Sequence, residues 1–412
     1  MFSKSLAVLA LAGAAQASFE ADRVASIPDM AVFDTYPVYS GYLEVNSAKA
    51  LHYMFIESQN APSTDPVVIW FNGGPGCSSM LGFAQEHGPY KLDSGTDYWA
   101  FNDFSWNREA NMLYIESPAG VGFSTCKGVK ECNSYSDEES AADNLAAVLA
   151  FFAKFPEFGN NDLYISGESY AGIYVPYLAN EIDVYNTANA DNADVFKPNL
   201  KGFMVGNGVT NYDFDCTPAY VEMGYWHSLY NDELRDQIVA NNCNFGGHPA
   251  NPSDVCKTLL AEFNSLVAGV NIYDIFGICY GPEPNPQLQN KTYTAYDYTP
   301  FISNPAKSGA NMLPPCTFGN PLLDYFHRDD VRAALNIPES VQPWELCTEK
   351  ISIEYTRGNG SQWVYEALQG KYRMLHYSGD TDGAVPTLGT QGWIATLNWP
   401  VTESWRAYTI DN

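Results

Sequence analysis

Ser169 stands in the run Gly167-Glu168-Ser169-Tyr170-Ala171-Gly172. It follows an apolar stretch, Leu163 to Ser166, and opens a helical one that continues to about Ile182. A serine at such a strand-to-helix turn projects its hydroxyl away from the sheet as a nucleophile, in the pattern G-x-S-x-G, here with Ala171 in the last glycine position. Gly167 relieves crowding where a Cβ would clash, and the helix N-terminus favours negative charge nearby. Trp70-Phe71-Asn72-Gly73-Gly74-Pro75-Gly76-Cys77-Ser78-Ser79 adds a glycine-rich loop at a second strand end. Backbone N–H groups in such a loop can face an oxyanion, as acyl transfer requires. The loop lacks the G-K-[ST] of a phosphate loop. Taken singly, each motif is also what an ordinary strand-to-helix turn or surface loop looks like.

These residues need a rigid frame. Val67 to Phe71 and Asn111 to Glu116 read as buried strands, and Leu200 to Val205 as another. Ser136 starts a helix with Glu139 three residues on, a capping box, and Leu145, Val148, Leu149 and Phe152 follow at helical spacing. The alternation predicts the α/β class: a mostly parallel central sheet with helices on both faces. From about Tyr212 to Pro315 the continuous apolar runs thin out, and Cys, Asn and Pro accumulate. This predicts an inserted, partly helical cap over 212–315, between core segments 18–211 and 316–412. The second core segment carries a clear strand from Arg373 to Ser378.

The resemblance that these motifs carry is specific. WFNGGPGCSS, ESPAGVGFS (Glu116 to Ser124), GESYAG and YSGDTD (Tyr377 to Asp382) occur in the order seen in serine carboxypeptidases of the α/β-hydrolase type. SGYLEV, FSWN, FPEF and GNG support it, and the similarity runs from about residue 35 onward. The resemblance implies that Ser169 attacks a scissile carbonyl and that Asp380 orients the catalytic histidine. It implies an oxyanion hole from the N–H groups of Gly74 and Tyr170. Asn72, Gly73, Glu86 and Glu168 would bind the terminal carboxylate of a peptide. If the two glutamates are close, one holds its proton, because like charges raise a pKa. Activity on peptides and proteins at acidic pH is the expectation. The resemblance also implies disulfides Cys77–Cys347, Cys243–Cys256 and Cys279–Cys316, with Cys126–Cys132 closing a small loop and Cys216 left over. No cofactor and no metal are expected.

In this fold class the order is Ser, Asp, His, yet no histidine follows Asp380. The six are His52, His87, His227, His248, His327 and His376. His376 precedes Asp380 by four residues, about 13 Å along a strand, and reads as a core or edge residue. His87 adjoins Glu86. Three explanations stand: a fragment or early-cut gene model, a stop codon read as an amino acid in the source, or an inactive homologue. The intact motifs favour an incomplete sequence. An acyltransferase on the same scaffold and a non-catalytic binding homologue are the competing functions.

Composition sets the surroundings. With 21 Lys and Arg against 48 Asp and Glu, net charge is −27. Nucleic-acid binding is excluded, since it relies on basic side chains. Acidic surfaces repel themselves less as pH falls. Lys4, the apolar run Leu6 to Ala14 and Ala15-Gln16-Ala17 read as a signal peptide over 1–17. That run is too short to cross a bilayer and no other is longer, so no membrane span is expected. With nine cysteines after a signal, disulfides are the default and one thiol is left over. Asn290 and Asn359 begin glycosylation sequons. The expected location is the secretory pathway, ending in a lysosome, a vacuole or the extracellular space.

Overall fold

A computed structural model describes residues 19–30, 36–92, 98–127, 134–246, 252–277, 321–348, 352–354 and 360–409. The expected signal 1–17 lies outside them, as do Cys132, His248, Cys279, Asn290, Cys316 and Asn359.

Seven strands position the site: β1 Val38–Glu44, β2 Lys49–Ile56, β3 Val67–Phe71, β4 Asn111–Ile115, β5 Leu163–Ser169, β6 Leu200–Gly208 and β7 Arg373–Tyr377. They lie in the order β1-β2-β4-β3-β5-β6-β7, and Thr125–Cys126 pairs on β2 as an eighth strand. β1, β2 and β4 pair antiparallel, while β4, β3, β5, β6 and β7 run parallel. The sheet is thus mixed, with its parallel part carrying the chemistry.

β3 shows why this sheet is buried on both sides. Its five residues are β-branched or aromatic and all buried. Side chains alternate across a strand. Val67, Ile69 and Phe71 enter one core with Val148, Phe151, Ile173 and Leu178. Val68 and Trp70 enter a second core with Phe83, Phe326 and Trp344. The first core is closed by helices α1 (Asp137–Lys154) and α2 (Ala171–Ala188). The Ser136 hydroxyl accepts from Glu139 N–H and the Glu139 carboxylate accepts from Ser136 N–H, so the capping box forms. β5 and β6 run three residues further than local pattern predicts. The added residues gain ladder partners, Gly206 against Glu168 and Gly208 against Ser169.

After β6 come α3 (Thr217–Trp226), α4 (Asp232–Ala240) and α5 (Asp254–Val267). They have their own apolar cluster, including Tyr220, Leu234, Leu259 and Phe263. Asn231 and Ser253 cap α4 and α5 by accepting from Leu234 and Cys256 N–H. Cys243 and Cys256 are bonded across a separation of 13 residues. Cys77 and Cys347 are bonded across 270 residues. Cys126 is disulfide-bonded, and Cys216 is a buried free thiol. Among the described residues no helix is long and apolar enough to cross a membrane.

Candidate active site

Ser169 ends β5 with φ 58°, a left-handed backbone that few non-glycine residues adopt. Strained positions of this kind cluster at functional sites. The turn is possible because its neighbours are small. A Cβ on Gly167 would come within 2.5 Å of Phe71 O and 2.6 Å of Ala171 Cβ. A Cβ on Gly172 would come within 2.4 Å of Val209 O, so α2 lies directly on the end of β6. The last motif position tolerates alanine because the close approach to β6 falls on Gly172, not on Ala171.

The glycine-rich loop lies against this turn. A Cβ on Gly73 would meet Tyr170 N at 2.3 Å and Ser169 Cβ at 3.0 Å. Gly74 follows with φ 109°, and Gly74, Ser169 and Tyr170 line one cavity. The loop is fastened from behind. Ser78 N–H donates to Leu346 O (2.8 Å), Thr348 N–H to Gly76 O (3.0 Å), and the Cys77–Cys347 bond joins the two segments. Ser79 Oγ donates to Ile115 O and accepts from Asn72 N–H.

Asn72 organises two carboxyl groups. Its Oδ1 accepts from Trp70 Nε1 and Gly82 N, both at 2.9 Å. The amide therefore cannot flip, and its Nδ2 donates to Glu86 Oε1 and Glu168 Oε1, each at 2.9 Å. The two carboxyl groups are thus held side by side on one amide. Removal from water raises both pKa values, Glu86 well above the usual carboxylate range, with the Glu168 charge adding to it, and Glu168 to about 7. The pair retains a proton at neutral pH and below. His87 lies beneath it, stacked on Trp106 and Tyr114, its Nδ1 3.0 Å from the Tyr114 hydroxyl. Burial lowers its pKa to about 3, so the ring stays neutral.

Asp380 is exposed on the turn after β7. That turn is clamped by Asn207 on β6, which accepts from Gly379 N–H (2.9 Å) and donates to Gly379 O and Ser378 Oγ. Asn207 has φ 36°. In sequence it was visible only as the middle of GNG, with nothing to announce a clamp. Gly206 of β6 pairs with both Glu168 and Tyr377, so β5 and β7 are two strand spacings apart there. That is about 10 Å, too far for Asp380 and Ser169 to bond directly.

Among the described residues no histidine bonds to either. His227 Nδ1 contacts Met223 O, and His327 Nε2 contacts Trp344 O. His376 points into the core against Tyr365 and Trp393, its Nε2 2.6 Å from the Tyr365 hydroxyl. Burial lowers its pKa to about 4.

His52 belongs to a network that sequence reading did not find. Its Nε2 lies 2.9 Å from Ser40 Oγ and its Nδ1 2.8 Å from Glu116 Oε2, all three residues fully buried. The arrangement copies the order serine, imidazole, carboxylate without access to substrate. Ser40 spends its proton on Leu335 O (2.7 Å), so the ring donates at Nε2. Glu116 also accepts from Ser78 Oγ, Trp344 Nε1 and Phe123 N–H. This network pins the glycine-rich loop to β2 and to the 344–348 segment. Only a clue was legible: Glu116 begins ESPAGVGFS, an acid at the end of an apolar strand.

The serine carboxypeptidase family model matches residues 28–412. The mouse (Mus musculus) lysosomal protective protein is 34% identical, over 98% of this chain and 87% of that protein. Serine carboxypeptidase-like 31 of Arabidopsis thaliana is 34% identical, over 90% of this chain and 76% of that protein. A solved prohormone-processing carboxypeptidase from Saccharomyces cerevisiae superposes with a TM-score of 0.68 at 20% identity, covering 92% of this chain and 82% of that one, which shows a shared fold. The chain belongs to the serine carboxypeptidase family and has its α/β-hydrolase fold.

Proposed function

We propose that this site removes the C-terminal residue from peptides and proteins through an acyl-enzyme, and does so best at acidic pH. The observation that carries the reading is the proton-holding pair Glu86–Glu168, aligned by Asn72 and adjoining Ser169. A carboxyl pair that retains a proton can donate to the terminal carboxylate of a peptide, whereas two ionised carboxylates would repel it. In this reading Gly73 lets the peptide terminus approach closely. Ser169 Oγ bonds to the scissile carbonyl carbon, and the oxyanion is held by the N–H groups of Gly74 and Tyr170. The hydroxyl proton of Ser169 passes to the leaving amine as the C–N bond breaks, and water then adds to the acyl carbon, one of its protons returning to Ser169 Oγ as the shortened peptide acid leaves.

Asp380 would orient an imidazole in the gap between the turns after β5 and β7. No described histidine fills that gap. The acyltransferase alternative lacks support here, because an ester-forming enzyme has no need of a paired-carboxyl site for a peptide terminus. The low-pH preference and the acidic surface suit a lysosome or vacuole, or an acidic extracellular setting.

The reading is tested with a fluorophosphonate probe on the purified chain and its Ser169→Ala variant. Labelling is expected at Ser169 alone. A blocked dipeptide acid should suppress it at concentrations where the corresponding C-terminal amide does not. Equal protection by the amide would overturn carboxylate recognition. Absence of any labelling would point to a binding homologue instead.

A further inference from the structure

His87 follows Glu86 in the chain and packs under the carboxyl pair. Glu86 ends a single π-helical turn, Gly82–Glu86, a form frequent at functional sites. The His87 N–H closes that turn on Gly82 O (3.0 Å), and Gly82 N–H in turn donates to Asn72 Oδ1. The imidazole is clamped. Trp106 stacks on it and Trp70 meets it edge-on, each with its centroid 4.2 Å away. The same Trp70 indole donates to Asn72. The ring is therefore fixed, whereas the Glu86 side chain is 26% exposed and has room to turn.

The two ring nitrogens differ. Among the described residues the Tyr114 hydroxyl has Nδ1 as its hydrogen-bond partner, 3.0 Å away. Burial keeps that phenol protonated. Its O–H donates to Nδ1, which leaves the ring proton on Nε2. Nε2 is buried and has no hydrogen-bond partner among the described residues, yet Glu86 Oε2 lies 3.9 Å from it. Glu86 Oε1 is already engaged by Asn72. Buried donors without partners are rare and call for a reason. This one is aimed at the second oxygen of a carboxyl that can move toward it.

We propose that His87 is a positioning residue for terminal-carboxylate recognition: its Nε2–H closes on Glu86 Oε2 when a peptide terminus binds, turning the proton held by the pair toward that terminus. The inference rests on the carboxyl-pair reading. The imidazole gives up no proton and stays neutral throughout, in keeping with its lowered pKa of about 3. An amide terminus carries no charge to attract the proton of the pair, so it gains nothing from the contact.

The test is calorimetric binding at pH 5 of benzyloxycarbonyl-phenylalanyl-leucine, and of its C-terminal amide, to the intact chain. His87→Phe keeps an aromatic ring against Trp70 and Trp106 and removes the donor. It should weaken the acid about tenfold and leave the amide unchanged. His87→Gln puts an N–H back near the position of Nε2 and should restore most of the lost affinity. The double variant His87→Phe with Tyr114→Phe also removes the phenol that the single variant orphans. It should show the same selective loss, which separates the effect from any lowered stability. An unchanged preference for acid over amide in His87→Phe, a loss shared equally by the two ligands, or no recovery in His87→Gln overturns this inference alone. A wild-type chain that fails to bind the acid, or binds acid and amide equally, sinks the carboxyl-pair reading and this inference with it.

Discussion

Asn72 decides what the two glutamates can do. Its carbonyl oxygen is occupied by Trp70 and Gly82, so both amide protons are committed to the carboxyl pair. Glu168 keeps its proton below about pH 7 and loses it above, while Glu86 is raised further still by burial and by the Glu168 charge. Binding of a peptide carboxylate should therefore weaken as pH rises through 7. Glu168→Gln replaces the titrating group with a permanent donor. It should flatten the dependence of blocked-dipeptide affinity between pH 5 and pH 8, and an undiminished slope in titration calorimetry would reject the mechanism. In the sequence, Ser169 was marked by its strand-to-helix turn, while Glu86 and Glu168 were named only by the family resemblance. The fixation of Asn72 was not legible, because Gly82 is brought to it by the fold. The same holds for His52 and Glu116, which stand far apart in sequence and meet in the core. Glu116→Ala leaves the His52 ring and the donors of Ser78, Trp344 and Phe123 without their acceptor. Loss of about 3–5 kcal/mol is expected, read as a lowered chemical denaturation midpoint.

At the scale of elements, the site is an arrangement of strand ends and the turns that leave them. β3 delivers Asn72 and the glycine-rich loop, β5 delivers Ser169, and β7 delivers Asp380. β6 carries no proposed catalytic group, yet it aligns the others: its Gly206 pairs on both sides and its Asn207 clamps the β7 turn. Local pattern revealed β3, the Ser136 capping box and the Ser169 elbow, since each is written in adjacent residues. It stopped β5 and β6 short, since their last residues are strand only by virtue of each other. The contact of α2 with β6 makes Gly172 a sharp test. Gly172→Ala puts a methyl group 2.4 Å from Val209 O. That overpacking should cost about 1–3 kcal/mol, measured by thermal melting. Wild-type stability in this variant would contradict the close approach.

Across the whole molecule, buried acids and buried histidines pull stability in opposite directions with pH. Burial raises Asp137 to about 6 and Glu168 and Asp215 to about 7, and it lowers His87 to about 3 and His376 to about 4. A raised carboxyl makes the native state bind more protons than the unfolded chain, so stability declines as pH climbs from the ordinary carboxylate value to the raised one. The histidines offset part of this up to about pH 6.5, above which they contribute no further change. The net charge of −27 adds repulsion on the alkaline side. Tm should therefore be several degrees lower at pH 8 than at pH 5, and a higher Tm at pH 8 would contradict the burial of these carboxyls. The bond between Cys77 and Cys347 has a further consequence, one of timing. Cys347 leaves the ribosome 270 residues after Cys77. At about 5–20 residues per second, the loop beside Ser169 waits roughly 15–50 s for its anchor. Through that interval the glycine-rich loop lacks its covalent link to the 344–348 segment, so the wall beside Ser169 is fastened only late in synthesis.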